Sequence, residues 1–273
     1  MDIKKILKRN NFTFKKAFGQ NFLTDEALLS DIVSRSGVDG DVTVLEIGVG
    51  GGTLTRELCK KAKKVVGYEI DKNLKPVLDE TLAGFDNVNV VYQDVMKASL
   101  SEIESLLGDR YYLVANLPYY ITTPIIMRFI EESDKVDSIV VTIQKEVAER
   151  IVAKAKSSDY GSITVSINAI ADSEIISYLN RDLFYPAPNV DSAVLKITLN
   201  KNKYQINDIK KFRNLVKVAF SMRRKTLVNN LMKGYGISRE VAENYLTENS
   251  ISITARGEEL SVEEFVKLSN NIK

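Results

Sequence analysis

The spacing of apolar residues predicts alternating strands and helices over the first two thirds of the chain. Four short runs rich in Val, Ile and Leu have the length of buried strands. They lie at 42–47, 64–70, 88–92 and 111–115. Amphipathic stretches at 54–61 and 73–82 separate the first three runs and predict helices. This alternation is typical of a doubly wound α/β sheet.

Further patterns extend the sheet and then give way to helices. Strands expected at 138–143, 162–170 and 193–199 complete a mixed seven-stranded sheet. An earlier helix is expected to begin after an N-cap at Thr24 and to end at Gly37. From Asn200 onward the pattern favours short amphipathic helices, at about 207–219, 223–233, 238–247 and 261–270. We therefore predict a sheet domain over 1–200 and a small all-α domain over 201–273.

A glycine-rich turn follows the first strand. From Val44 to Thr53 the sequence reads VLEIGVGGGT, with four glycines in five residues. Residues without a Cβ allow a sharp turn and close approach of a ligand to the backbone. The following helix would point its N-terminal amides at that ligand. A tight turn without a ligand is the alternative, but the density of glycines behind an acidic residue favours binding.

The residues around the turn favour S-adenosyl-L-methionine (AdoMet) over a dinucleotide. A dinucleotide fingerprint has a third glycine where this chain has Thr53. Glu46 lies just before Gly48 and Gly50, and this E-x-G-x-G arrangement resembles the motif of AdoMet-dependent methyltransferases. Carboxylates suit both the ribose diol and the positive charge of AdoMet. A Tyr-x-x-x-Lys reductase pair at 68–72 is a superficial match, since it contains a rim acid at a strand end.

Polar residues follow four successive strands at regular intervals. Glu46, Glu69, Asp94 and Asn116 are separated by 23, 25 and 22 residues. Because ligands bind at the carboxyl ends of strands in a doubly wound sheet, these residues should share one rim. We expect Glu69 to accept from both ribose hydroxyls, Asp94 from the adenine amino group, and Glu46 to favour the cationic tail.

The fourth strand leads into the predicted reaction end, Asn116-Leu117-Pro118-Tyr119. Pro118 favours an extended conformation at Leu117, which turns the Leu117 carbonyl and the Asn116 amide oxygen the same way. Two acceptors aimed at one exocyclic amine would leave its lone pair free to attack the AdoMet methyl group. Tyr119 offers a face for base stacking.

Composition limits the chemistry available to the chain. The 273 residues include no His and one Cys, which excludes His-based triads and multi-cysteine metal sites, so no metal is expected. Hydrophobic residues make up 44% of the chain, which suffices for a core. Neither a transmembrane helix nor a secretory signal is expected. We expect a cytoplasmic protein, by default a monomer, with no membrane partner.

Charge is unevenly distributed although the net charge is +2. Residues 1–20, a basic N-terminal arm, hold six Lys or Arg and one acid, and residues 209–233 hold eight and none. This segregation indicates a face for a polyanion, with solvated helical faces as the alternative. The residues expected to bind RNA phosphates are Lys4, Lys5, Lys8, Arg9, Arg223, Arg224 and Lys225, the last three at the start of a helix.

Six segments in this order resemble one family. N-L-P-Y at 116–119, with E-x-G-x-G upstream, is similar to the adenine N(6)-methyltransferases of nucleic acids. Four more segments resemble the small-subunit rRNA adenine dimethyltransferases, the kasugamycin-resistance (KsgA) family. These are FGQNFL at 18–23, QKEVAERI at 144–151, FYPAPNVDSAV at 184–194 and AFSMRRKTLVNNL at 219–231. The resemblance runs from about residue 12 to the C-terminus.

The resemblance implies a fold, a reaction and a set of site residues. The fold is a Rossmann-like AdoMet-dependent methyltransferase fold with a small C-terminal all-α domain. The reaction is dimethylation of the N(6) amines of two adjacent adenosines in the 3′-terminal hairpin loop of 16S rRNA, within a small ribosomal subunit or its precursor. The family's AdoMet contacts fall on Asn21, Leu23, Gly48, Glu69, Asp94 and Asn116.

Two further positions follow from the same resemblance. The F-x-P-x-P-x-V-x-S motif begins at Phe184, which is then expected to stack on the flipped target adenine opposite Tyr119. A core aromatic beside a Pro-rich turn is the alternative for Phe184. Tyr120 stands where the family more often has Asn, and it adds bulk beside the pocket.

Alternative functions remain open on sequence grounds. The nearest is an antibiotic-resistance relative that methylates one large-subunit adenosine, although QNFL and RRKTLVNNL favour the small-subunit enzyme. A noncatalytic ribosome-assembly or transcription factor is disfavoured by the intact N-L-P-Y motif and rim acids. A dehydrogenase is the least favoured.

Overall fold

The computed structural model describes residues 1–15 and 18–272. These residues divide into two compact units. The first contains Met1–Ala148 and Glu174–Leu199, and the second contains Glu149–Ser173 and the chain from Asn200 on. The second unit therefore includes a segment that precedes the predicted boundary at residue 200. Lys16, part of the predicted basic arm, lies outside the described residues.

The described residues form nine strands. They are β1 (Phe22–Leu23), β2 (Thr43–Ile47), β3 (Lys64–Tyr68), β4 (Val88–Val91), β5 (Tyr111–Asn116), β6 (Val136–Gln144), β7 (Ala171–Leu179), β8 (Phe184–Tyr185) and β9 (Ser192–Leu199). β1 and β8 form an antiparallel ribbon. The other seven form one sheet in the order β4-β3-β2-β5-β6-β9-β7, which confirms the predicted mixed seven-stranded sheet.

The topology brings the carboxyl ends of five strands to one edge. β2 pairs in parallel with β3 and β5, β3 with β4, and β5 with β6. The chain places β3 and β4 on one side of β2, and β5 and β6 on the other. In doubly wound sheets the crevice at such a reversal is where ligands bind. β9 runs antiparallel to β6, so its first residue lies at this same carboxyl edge.

Helices cover the sheet and build the second unit. In the first unit they are α1 (Ile3–Arg9), α2 (Glu26–Ser36), α3 (Thr53–Cys59), α4 (Lys75–Thr81), α5 (Leu100–Ser105) and α6 (Thr122–Glu132). Later in the chain come α7 (Lys145–Ile151), α8 (Ser162–Asn168), α9 (Ile209–Ala219), α10 (Leu227–Tyr235), α11 (Arg239–Glu248) and α12 (Val262–Asn271). Among the described residues, no helix is long and apolar enough to cross a membrane.

The first half of the predicted basic arm is an ordered helix. Asp2 caps α1 by accepting a hydrogen bond from the Lys5 amide. Ile3, Ile6 and Leu7 are buried in a cluster that includes residues of α4. The apolar spacing of these three residues turns the basic side chains of α1 outward. A partly ordered arm therefore describes this segment less well than a docked amphipathic helix.

One predicted strand is wrong. Residues 162–168 form α8, and the seventh strand is β7, which follows it. The alternating, β-branched sequence Ile163-Thr164-Val165 favours a strand locally. In the structure the Thr164 hydroxyl donates to the Arg150 carbonyl (2.6 Å) and accepts from the Gly161 amide (3.2 Å). These contacts stabilise a helix start, so tertiary context overrides local propensity.

Two predicted helix starts also move by a few residues. Asp25, rather than Thr24, caps α2 by accepting from the Leu28 amide (3.0 Å). Thr24 instead bonds to the Leu183 carbonyl through its hydroxyl. Arg223, Arg224 and Lys225 lie in an exposed turn before α10, which begins at Leu227, and not inside the helix.

Candidate active site

A cavity of about 300 Å³ opens at the carboxyl edge of β2, β3 and β5 in the first unit. Its volume is at the lower end of the range for small-ligand pockets. The structure brings together all eight residues predicted to bind the cofactor along its wall. They are Asn21, Leu23, Glu46, Gly48, Gly50, Glu69, Asp94 and Asn116. Leu117, Pro118 and Tyr119, the predicted reaction end, line the same cavity.

Glycine is required in this turn for two reasons. The backbone takes a conformation that favours glycine, and a neighbouring side chain leaves no space for a Cβ. Gly48, Gly50 and Gly52 have φ values of 78°, 58° and 79°. Residues that carry a side chain rarely adopt this region of backbone conformation. A Cβ on Gly50 would lie 2.8 Å from the Phe22 ring. The Gly50 amide donates to Glu69 Oε2 at 2.8 Å. The turn that follows β2 is therefore hydrogen-bonded to the carboxylate of Glu69, which follows β3.

Glu69 is a buried carboxylate held by backbone amides. It is 4% exposed, and its Oε1 accepts from the Asp71 amide at 2.8 Å. Burial raises the pKa of Glu69, while the amides of Asp71 and Gly50 oppose that rise. Each carboxylate oxygen retains a further acceptor site. The fixed carboxylate can therefore accept from two adjacent hydroxyls of a ligand.

Glu46 is buried without the partners that hold Glu69. Its side chain is 1% exposed, and Oε2 has no hydrogen-bond partner in the part of the chain that the structure describes. Burial raises the pKa of Glu46 to about 8, and the nearby charge of Glu69 adds to the rise. A buried polar atom without a partner is costly. A cation or donor group in the cavity would satisfy it.

Sequence reasoning missed Asp71, which anchors the wall of the cavity. Asp71 Oδ1 accepts from Lys15 Nζ at 2.8 Å, and Oδ2 accepts from Gln20 Nε2 at 3.0 Å. Burial alone would raise the pKa of Asp71, but the bonds from Lys15 and Gln20 outweigh it and the pKa is lowered. Gln20 is followed directly by Asn21, a cavity residue. The signal in the sequence that could have identified Asp71 is its position as a second acidic residue, two positions after Glu69.

The amide of Asn116 has a defined orientation. Its Nδ2 donates to the Asn21 carbonyl at 2.8 Å, which leaves Oδ1 as the acceptor on the other side of the amide. The Leu117 amide donates to the Thr142 carbonyl at 3.3 Å, so the neighbouring strand β6 holds this backbone. Pro118 is extended (φ −58°, ψ 131°) and starts a short 3₁₀ turn over Tyr119–Ile121. The segment is thus fixed on both sides.

Phe184 is the one predicted catalytic residue outside the described cavity lining. Its side chain is 4% exposed, and its backbone is the partner of Leu23 in the β1–β8 ribbon. It packs in a core cluster with Leu29 and Val194. This placement matches the alternative of a core aromatic beside a Pro-rich turn. A role of Phe184 in stacking stays a prediction.

Comparison with known proteins identifies the family. The family model "Ribosomal RNA adenine dimethylase" matches residues 11–273. The chain belongs to the ribosomal RNA adenine dimethylase family. The chain is also 43% identical to "Ribosomal RNA small subunit methyltransferase A" of Bacillus licheniformis, over 99% of this chain and 95% of that protein. As a member of this family, it is an AdoMet-dependent methyltransferase.

Solved structures agree with this dimethylase assignment. A dimethyladenosine transferase from Plasmodium falciparum has a TM-score of 0.75 and 25% identity, covering 90% of this chain and 95% of that chain. The 23S rRNA methyltransferase ErmE has a TM-score of 0.72 and 26% identity, covering 92% of this chain and 98% of that chain. The Rossmann-like methyltransferase fold predicted from the sequence is confirmed.

The basic residues predicted to bind RNA are in different local settings in this dimethylase. On α1, Lys5 pairs with Asp2 (3.3 Å), Arg9 pairs with Glu80, and the Lys4 ammonium lies 4.8 Å from the centre of the Tyr185 ring. Lys8 is exposed in the last turn of α1.

The other predicted RNA-binding residues lie in the second unit. Arg223 Nη2 donates to the Ser158 carbonyl at 2.6 Å. Arg224 and Lys225 are exposed beside it. The bond holds the Arg223 guanidinium against the Ser158 carbonyl, next to the two exposed charges of the same turn.

Proposed function

We propose that this protein dimethylates the N(6) amines of two adjacent adenosines in the 3′-terminal hairpin loop of 16S rRNA, using AdoMet, as part of small-subunit maturation. One observation carries the proposal. The Asn116–Tyr119 segment and the acidic rim line one cavity. A cofactor held by the rim would therefore meet a base presented to Asn116 within a single enclosed space.

The residues present fit AdoMet. The buried, unpartnered Oε2 of Glu46 suits the cationic end of the ligand. Glu69 would accept from the two ribose hydroxyls, since its carboxylate is fixed by two amides. Asp94 uses Oδ1 for the Met96 amide (3.0 Å), which leaves Oδ2 for the adenine amino group. Asn21, Leu23, Gly48 and Gly50 would form the remaining wall.

The second half of the cavity suits an exocyclic amine. The Asn116 Oδ1 and the Leu117 carbonyl would accept hydrogen bonds from the two N–H groups of the unmethylated target amine and orient its lone pair. Tyr119 would stack on the base. AdoMet, when bound, supplies an electrophilic methyl group. The chain has no His, and the methylated amine can release its proton to solvent, so catalysis would rest on positioning and on a preorganised polar environment.

A small-subunit substrate is favoured over the large-subunit alternative. The relative that is 43% identical is named as a small-subunit enzyme, whereas the 23S enzyme is 26% identical. The QNFL and RRKTLVNNL segments point the same way. The acidic rim and N-L-P-Y motif are complete, which disfavours a noncatalytic assembly factor.

Basic residues of both units would contact the RNA backbone. We assign this role to Lys4, Lys5, Lys8 and Arg9 on α1, and to the turn at 223–225. Residues 1–200 would then carry catalysis and the RNA contacts of α1, and 201–273 the RNA contacts of the turn at 223–225. Recognition of RNA by backbone contacts and shape is compatible with a base pocket located elsewhere in the protein.

The substitution Asn116→Ala tests the observation that carries the proposal. We expect methyl transfer to undermethylated small subunits to fall at least 100-fold, since an oriented acceptor at the reacting amine is lost. AdoMet is supplied at saturating concentration to each protein, since Asn116 is also a predicted cofactor contact, and small-subunit binding should persist. Methyl transfer at a near-normal rate would remove Asn116 from the mechanism.

A further inference from the structure

A hydrogen bond joins the two sequence motifs that flank the cavity. The Tyr119 hydroxyl and Ser192 Oγ are 2.7 Å apart. Tyr119 belongs to the N-L-P-Y segment, and Ser192 is the last residue of the F-x-P-x-P-x-V-x-S motif. Ser192 is fully buried, at 0% exposure, and lies outside the described cavity lining. Ser192 therefore acts on the cavity indirectly, through its hydrogen bond to Tyr119.

The sheet topology explains why these residues meet. Asn116, at the end of β5, pairs with Thr142 in the parallel strand β6. Ser192, at the start of the antiparallel strand β9, pairs with Gln144 at the end of β6. The end of one strand and the beginning of another are therefore brought to the same edge. Strand pairing holds the backbone of the serine, and the Tyr119 hydroxyl meets its side chain.

The bond constrains the ring of Tyr119 at its hydroxyl end. Tyr119 lies in the 3₁₀ turn, and the hydroxyl of a largely buried tyrosine requires a partner. Burial raises the pKa of Tyr119, and the bond to Ser192 opposes that rise. A phenol held at its hydroxyl end and at its Cα cannot swing across the cavity. The direction of the ring's long axis is then set by the position of Ser192.

We propose that Ser192 is a positioning residue for methyl transfer, because its hydroxyl fixes the position of the Tyr119 ring on which the target adenine stacks. This inference rests on the proposed function. A base stacked on that ring keeps its own plane parallel to it. The position of the N(6) amine relative to Asn116 Oδ1 therefore depends, through the ring, on the serine. A small rotation of the ring would misalign the amine while leaving the cofactor site intact.

Four variants test the proposal: Ser192→Ala, Tyr119→Phe, the double variant, and the control Ser138→Ala. Ser138 is a buried serine on the neighbouring strand β6 whose Oγ has no hydrogen-bond partner among the described residues. Its substitution removes the same atom from a similar environment without removing a bond. Single-turnover methyl transfer to undermethylated small subunits is measured for all four, together with AdoMet affinity.

Ser192→Ala and Tyr119→Phe should each slow the single-turnover step by about tenfold, with AdoMet affinity unchanged. The double variant should be no slower than the slower single variant, since one bond is lost in all three. Ser138→Ala should react at the wild-type rate. A wild-type rate for Ser192→Ala, or losses that multiply in the double variant, would overturn the proposal.

A second readout does not depend on RNA. With ¹³C-labelled tyrosine, the Tyr119 resonance can be assigned from Tyr119→Phe and titrated. Loss of the serine hydroxyl should raise the pKa of Tyr119 further, since that bond favours ionisation. An unchanged titration would overturn the contact itself. If the contact is present but wild-type protein methylates neither small-subunit nor large-subunit rRNA, the proposed function fails instead.

Discussion

At the scale of single residues, two buried acids on adjacent strands have different electrostatic environments. Glu69 accepts two backbone hydrogen bonds, whereas Oε2 of Glu46 has no partner among the residues described. Both lie in one cavity. The first arrangement holds a carboxylate in place. The second leaves a buried acid that favours the neutral form until a ligand supplies a compensating group.

Glu46 should make stability depend on pH. Its pKa of about 8 in the folded protein lies above the ordinary value of 4.5. Between these values the unfolded chain loses the proton and the folded protein keeps it. The contribution of Glu46 to the free energy of unfolding is thus fully present below about pH 4.5 and falls by about 1.4 kcal/mol per pH unit until about pH 8.

Glu46→Gln removes this titration. Urea unfolding at pH 5, 6.5 and 8, without ligand, should show the variant gaining stability relative to wild type as pH rises. The gain should stop above about pH 8, where both states of wild type have lost the proton. A difference between the two proteins that stays constant over this range would show that Glu46 is ionised in the folded protein.

Residue types at strand ends could be predicted from the sequence, but their partners could not. Glu46, Glu69 and Asn116 follow apolar runs at regular spacing, and parallel pairing then forces them to one edge. Asp71 and Ser192 act through side chains 50 or more residues away in sequence. No local pattern specifies such contacts. For Phe184, the motif could not distinguish a buried ring from an exposed one, and its role in stacking stays a prediction.

At the scale of elements, the helix that follows the N-L-P-Y segment holds the loop that follows β4. Arg128, on α6, donates from Nη1 to the Val95 carbonyl (2.7 Å) and from Nη2 to the Ala98 carbonyl (2.6 Å). The loop includes Asp94, the proposed adenine partner. The helix was not expected from the sequence, and neither was its role as a clamp on the cofactor end of the cavity.

Arg128→Met should weaken AdoMet binding while the fold is retained. The substitution keeps the apolar stem but loses two charge-assisted bonds, so the loop would sample other conformations and AdoMet affinity should fall about tenfold. Arg110→Met is the control, since Arg110 also donates to a carbonyl, that of Asp134, but at the amino end of β5. Calorimetry showing equal AdoMet affinity in both variants would contradict the clamp.

Strands and helices were predicted correctly where the burial of the residues and the period of the apolar pattern indicated the same element. The central strands are apolar on both faces, as parallel strands covered by helices must be. Residues 162–170 failed because β-branched residues alternate there while the segment packs as α8. The strand that completes the sheet, β7, alternates exposed and buried residues weakly and contains Asp172, Ser173 and Glu174. Its strand character depends on the neighbour it pairs with.

At the scale of the whole molecule, charge is concentrated in separate regions of the chain. α1 and the turn at 223–225 carry bases, whereas the cavity rim carries acids. A polyanionic substrate would be attracted by the bases of α1 and of the turn, and it would be repelled by the acids of the cavity rim. RNA affinity and the chemical step should therefore depend on different residues.

Replacing residues 223–225 with Ala should lower small-subunit RNA affinity and make it less sensitive to salt. Three lost phosphate contacts would reduce the slope of log affinity against log salt by roughly 2 to 3. Replacing Lys61, Lys63 and Lys64, which lie at the amino edge of the sheet, removes the same charge as a control. Filter binding over a salt series measures both, and an unchanged slope in the first variant would place the RNA elsewhere.

Methyl transfer from labelled AdoMet to undermethylated small subunits and to large-subunit rRNA, in parallel, tests the central claim most directly. The modified nucleosides are then identified and mapped. The account predicts N(6)-dimethyladenosine at two adjacent positions of the 3′-terminal hairpin loop of 16S rRNA, and no label in large-subunit rRNA. Label in large-subunit rRNA alone, or no label in either RNA by a protein that still binds AdoMet, would contradict it.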